Sequence, residues 1–179
     1  MKLLRTIRLD PSDTFVFERA AEPGDWAVSG TFMFADVDPA TLDGKARSAF
    51  RGGFLGLPSF GWSTLVLIVE AREQDRAALV DMLAQYVHEY LGAPSRDEAR
   101  TAAEQEVAFA ASLCEHPQDT LIAVHRTFED GAIREAFHSL RSRAGKPMRA
   151  FAFAFLEVEG EEEPGETVDL AKLAHGGRK

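Results

Sequence analysis

Trp62-Ser-Thr-Leu-Val-Leu-Ile-Val-Glu70 carries apolar residues on both parities, with Trp62, Thr64, Val66 and Ile68 on one side and Leu65, Leu67 and Val69 on the other. Such a segment reads as a central strand covered on both faces. The next segment reads as helical. Leu79, Leu83, Tyr86, Val87 and Tyr90 recur at helical spacing over 73–91, and Gly92-Ala-Pro94 stops that helix. Ser95-x-x-Glu98 is a capping box opening a second helix, with Ala99, Ala103, Val107, Ala110 and Cys114 on one stripe. The short link makes the pair an antiparallel hairpin, and the alanines predict close approach to a partner.

Upstream, residues 2–9 alternate and read as a half-buried or edge strand. Phe15 and Phe17 mark a second strand, and Trp26, Val28, Gly30, Phe32 and Phe34 share a parity through a third. Asp38 or Thr41 caps a short helix reaching Ala49, and residues 51–63 read as a long loop. Downstream, Leu121–Phe128 is a strand, and Asp130 caps a helix over 131–143 with a stripe at Ile133, Ala136, Phe137 and Leu140. Residues 148–158 form a last strand, with Phe151, Phe153 and Phe155 on one side. The expected class is α+β, in the order β-β-β-β-α-α-β-α-β. A mainly antiparallel sheet of about six strands carries the helical hairpin and the further helix on one face.

Residues 1–158 read as a single domain. Residues 159–179 hold six acidic and three basic residues with no aromatic, and read as an acidic C-terminal tail outside the core. The whole chain has 179 residues, 20 Lys and Arg against 29 Asp and Glu, and a formal charge of −9. That charge argues against nucleic acid and against anionic membrane surfaces as partners. The longest uninterrupted apolar run, Ala150–Leu156, is far short of a bilayer span. Arg5 and Arg8 stand where a signal peptide needs an apolar stretch, and the single cysteine excludes an intramolecular disulfide. The expected location is the cytoplasm.

Motif chemistry is sparse. His88-Glu89 and Cys114-x-His116 fall at opposite ends of the helical hairpin, so one metal ion cannot take both, and no cofactor is implied. Ser59 and Ser63 lie outside any G-x-S-x-G elbow. Cys114, near a helix C-terminus, is a poor nucleophile. His125 and Arg126 point to opposite faces of their strand, so at most one joins a given pocket. The segment 50–63 stands out, with four aromatics, Arg51 and four glycines in fourteen residues. It matches neither G-x-G-x-x-G nor a P-loop. Arg51 is suited to grip a carboxylate or phosphate, with Phe54, Ser59, Phe60 and Trp62 lining an apolar site around it. The same loop can instead tuck its aromatics into the core.

Met1-Lys-Leu-Leu-Arg-Thr-Ile-Arg-Leu-Asp10, Gly30-Thr-Phe-Met-Phe-Ala-Asp36 and Arg51-Gly-Gly-Phe-Leu-Gly56 resemble a small family of uncharacterised bacterial proteins over most of residues 1–158. The resemblance implies a complete bacterial protein and carries no activity or site residues. Two functional classes remain. The first is a non-catalytic accessory protein that binds a small ligand or a protein partner, beside an enzyme or as a homo-oligomer. The second is a small enzyme acting on an acidic metabolite, with Arg51 as substrate anchor and His125 as acid/base.

Overall fold

A computed structural model describes residues 1–142 and 156–159, with side chains through residue 140. Among the described residues the fold is α+β, with one eight-stranded sheet in the order β4-β3-β2-β1-β5-β6-β7-β8. The strands are β1 (Lys2–Ile7), β2 (Trp26–Val28), β3 (Phe54–Leu57), β4 (Gly61–Ser63), β5 (Leu65–Glu70), β6 (Leu121–Glu129), β7 (Ala132–Ser142) and β8 (Leu156–Glu159). Every neighbouring pair runs antiparallel. The helices are α1 (Ser12–Val16), α2 (Gly44–Gly52), α3 (Glu73–Tyr90) and α4 (Arg96–Ser112). None of them is long and apolar enough to cross a membrane.

The central strand forms from Leu65 rather than from Trp62, because Trp62 and Ser63 belong to the edge strand β4. β5 lies between β1 and β6. Val66 and Ile68 are fully buried, and the leucines of its other face are half-buried. Downstream, α3 and α4 pack as a hairpin. Ser95 Oγ accepts the Glu98 N–H at 3.2 Å, the expected cap. Ala99, Ala103, Val107 and Ala110 are the buried stripe of α4 and join Leu79, Val80 and Leu83 of α3 against the sheet core.

Elsewhere local chemistry overrides the periodicity. β1 is neither an edge nor half-buried. It pairs on both sides, Leu4 facing Ala27 and Ile68, and Leu3 and Leu4 are both at 0% exposure. Phe15 and Phe17 do not form a strand. The Asp10 carboxylate accepts the Ser12 N–H and starts the single turn of α1, which Asp13 ties to Thr64 through the Thr64 N–H and hydroxyl. That leaves Phe17 buried and Phe15 exposed. The strand expected over 26–34 ends at Val28, because Gly30 turns at φ +78° and residues 31–34 wind into a 3-10 turn. Asp38 does cap, but only a short 3-10 turn at Pro39–Thr41. The true helix, α2, starts after Asp43 and runs past Ala49 to Gly52.

The loop expected over 51–63 is a β-hairpin, β3 and β4 joined through Pro58–Phe60, and Thr64 separates β4 from β5. The helix expected over 131–143 is β7. Asp130 and Gly131, at φ +53° and +77°, form the two-residue turn of a hairpin in which Glu129 faces Ala132. Positive φ at both positions is what a type I′ turn requires. The expected strand over 148–158 is described only from Leu156, as β8. Phe151, Phe153, Phe155 and residues 160–179 lie outside the described residues.

A second, smaller cluster sits beside the main core. Phe17, Phe34, Ala49 and Phe50 are buried there, with Phe34 edge-on to Phe50 and stacked on Trp62, both at 5.3 Å. It seats α2 against the sheet. The chain before β2 closes the far edge: Ala21 N–H donates to Trp62 O, and Trp62 N–H donates to Arg19 O. A Cβ on Gly61 would lie 2.4 Å from Ala20 O and 2.5 Å from Ala21 N. Backbone atoms on both sides cannot yield cheaply. Gly61→Ala should therefore cost about 3 kcal/mol, read from the urea midpoint. An unchanged midpoint would show that residues 19–21 are not seated against β4.

Candidate functional site

On β6, alternate residues Ile122, Val124 and Arg126 share the buried face, and Arg126 is at 0% exposure. A buried guanidinium is costly unless its charge and all five N–H groups find partners. Here they do. Nε–H is shared by Thr31 Oγ1 at 2.9 Å and Glu135 Oε1 at 2.8 Å. Nη1 donates to Phe50 O at 3.1 Å and Gly53 O at 2.8 Å, so it caps the last turn of α2. Nη2 donates to Ser29 O at 2.6 Å and Ser29 Oγ at 2.9 Å.

Glu135 stands directly opposite Arg126 in the β6–β7 register. Its Oε1 also accepts the Ser29 and Thr31 hydroxyls. Glu106 of α4 completes the cluster by accepting the Gly30 N–H at 3.0 Å. Burial pushes the Glu106 carboxyl above its ordinary value, and the Glu135 charge adds to that; the Gly30 N–H and the Arg126 charge oppose it. Burial likewise pushes the Arg126 guanidinium down, against the hydrogen bond and charge of Glu135 and the charge of Glu106. With every donor used, Arg126 is a cross-link and cannot also receive an anion.

The outer side of this cluster opens into a cleft of about 360 Å³ between α2 and β6. α2 contributes Arg47, Phe50 and Arg51, and β6 contributes Arg126, Thr127 and Phe128, with Pro39 and Ala40 at one side. No carboxylate is among these residues. Arg47 Nε donates to Leu42 O at 2.8 Å, which fixes the side chain and leaves its terminal nitrogens without a partner among the described residues. Arg51 makes no ion pair among the described residues and is exposed. Phe128 lies two residues along β6 from Arg126, on the same face, and is 41% exposed.

Of the five binding residues proposed from sequence, Arg51 alone lines this cleft. Phe54 is fully buried in β3, 6.1 Å from the ring of Phe137. Ser59 sits in the β3–β4 turn, where its Oγ accepts the Gly61 N–H. Phe60 stacks on Tyr86 of α3 at 4.0 Å, and Trp62 on Phe34. His125 is exposed, on the β6 face opposite Arg126, and does not share the cleft with Arg51. Cys114 is buried, its thiol pushed up to about 11 by that burial against the opposing charge of Lys2, and its Sγ–H donates to Ala110 O. Among the described residues no three His, Cys, Asp or Glu side chains stand together as a metal site. Sequence reasoning missed Arg47, Phe128 and the Arg126–Glu135–Glu106 cluster. The signal for the cluster was an arginine on the apolar parity of a strand, which demands an acidic partner.

Two outcomes test the cluster. Arg126→Met leaves Glu135 half-buried and unpaired and strands three carbonyls, so it should cost about 3–5 kcal/mol in chemical denaturation. A loss under about 1 kcal/mol would show the network to be unimportant for stability. Glu106 carries a sign of its own. Its folded value is raised, so the native state holds a proton that the unfolded chain has already released. Stability from this group falls as pH rises from the ordinary carboxylate range through the raised value, and stays lost above it. Glu106→Gln keeps an acceptor for Gly30 and removes the titration. The variant should melt above the parent at about pH 8 and level with it at about pH 4. A gap that does not change with pH would contradict the raised value.

No curated protein and no solved structure matches the chain. A family profile matches residues 1–159, which take in every described strand, the buried cluster and both walls of the cleft. The resemblance to an uncharacterised family is borne out: the chain belongs to the family of unknown function DUF6505.

Proposed function

We propose that this is a non-catalytic accessory protein, working in the cytoplasm, that binds a small ligand or a partner carrying an anionic group in the cleft between α2 and β6. One observation carries the reading. In a chain of formal charge −9, Arg47 and Arg51 share a cleft with no carboxylate among its described lining residues. Guanidinium groups left without a partner in an otherwise acidic molecule are what an oxyanion site needs. The cleft sits at the lower end of the roughly 300–1,000 Å³ range of small-ligand sites. Support for the enzyme alternative is weaker, because its proposed acid/base, His125, lies on the other face of β6.

Titration of the full chain with inorganic phosphate at low salt, followed by amide chemical shifts, should move resonances of residues 47–53 and 126–128. Arg51→Ala should weaken that binding about tenfold, the worth of one charge-assisted hydrogen bond, while the melting temperature stays within a few degrees. Shifts absent from the cleft, or an Arg51→Ala variant that binds as the parent does, would remove the assignment.

A further inference from the structure

The cleft does more than present charge, and its second component names the class of ligand. Resting on the reading above, we infer that the ligand is an oxyanion, carboxylate or phosphate, carried on a flat apolar body, with the anionic head on Arg47 and Arg51 and the body against Phe128. The arginines are four residues apart on α2, one helical turn, so both reach the same side of the helix. Arg47 is held at its Nε by Leu42 O, which aims its terminal nitrogens without using them. The head group therefore meets one arginine already held in place and a second one turn along the same helix.

The apolar half is equally specific in place. Phe128 exposes 41% of its surface although it shares a face of β6 with Val124 and Arg126, both buried. A phenylalanine at that position has no need of solvent for its own sake. Its ring lines the cleft opposite the arginine helix, with Pro39 and Ala40 as further apolar wall. Burying an aromatic face against a planar ligand gains both area and offset stacking. A bare inorganic anion would leave that wall wet and so use only half the cleft. The closed Arg126 network fixes both walls, since the guanidinium on β6 holds the Phe50 and Gly53 carbonyls of the α2–β3 junction.

The test compares four probes on the full chain by the same amide shifts: inorganic phosphate, acetate, benzoate and phenyl phosphate. At least one of the two aryl anions should bind ten times or more tighter than its small counterpart. Phe128→Ala should erase that gap while leaving inorganic phosphate binding unchanged, and Arg51→Ala should weaken all four. Phe128 is partly exposed, so the variant should melt within a few degrees of the parent, and its phosphate binding is the internal control for folding. Aryl and small anions of equal affinity, or a gap that survives Phe128→Ala, would overturn the ligand class and leave the anion site standing. If no probe shifts the cleft, the site itself is wrong.

Discussion

The guanidinium of Arg126 is the constraint on which the remaining structure depends. Removing such a charge from water costs several kcal/mol unless hydrogen bonds and a counter-charge replace the hydration. The replacements come from separate parts of the chain: Ser29 at the end of β2, Thr31 in the 3-10 turn, Phe50 and Gly53 around the end of α2, and Glu135 on β7. None of these groups is close to the others in sequence, apart from the short-range pairs. The charge is tolerable only when all of them are in place at once. The network therefore favours one arrangement of α2, β2 and the β6–β7 hairpin over looser alternatives, whatever its net contribution to stability.

That arrangement sorts charge across α2. On the inner side one arginine meets two carboxylates, Glu135 and Glu106, so nothing positive is left over there. On the outer side Arg47 and Arg51 have no such partners among the described residues. The same helix buries Ala49 and Phe50 and exposes its arginines, and its C-terminal carbonyls are neutralised by Arg126 from beneath. A basic face on a fixed helix of an acidic protein differs from a scatter of surface charges, which contribute little individually.

The legible and illegible parts of the sequence divide along the same line. Segments whose burial is mainly apolar were readable: β5, β6 with its one buried arginine, and the α3–α4 hairpin, where Leu79, Leu83, Ala103 and Val107 fall where periodicity puts them. β7 was not, because its inward positions are Ile133, Glu135, Phe137 and Ser139. Two polar residues on the buried parity break the alternation and leave an accidental helical spacing of Ile133, Ala136, Phe137 and Leu140. Glu135 is inward because Arg126 requires it. The polar residues of the cluster thus hid the strand that carries them. The 51–63 segment failed for another reason. Its glycines read as looseness, but Gly61 marks a strand pressed against the Ala20–Ala21 backbone.

Rigidity changes what the aromatic segment can do. Phe54, Phe60 and Trp62 each have a ring partner inside the protein: Phe137, Tyr86 and Phe34. Those contacts take up ring surface, and none of the three rings lines the α2–β6 cleft. The hairpin's role is to anchor the end of α2, through Gly53 O and through Trp62 against the Phe34–Phe50 pair. Arg51, at the junction, is the only one of the five sequence candidates in the α2–β6 cleft. The proposed site rests instead on Arg47, Arg51 and Phe128, which stand on a helix and a strand rather than on a loop. Side chains placed by regular elements hold their geometry better than loop residues do. The burial of the aromatics that first pointed to a site is what gives the cleft fixed walls.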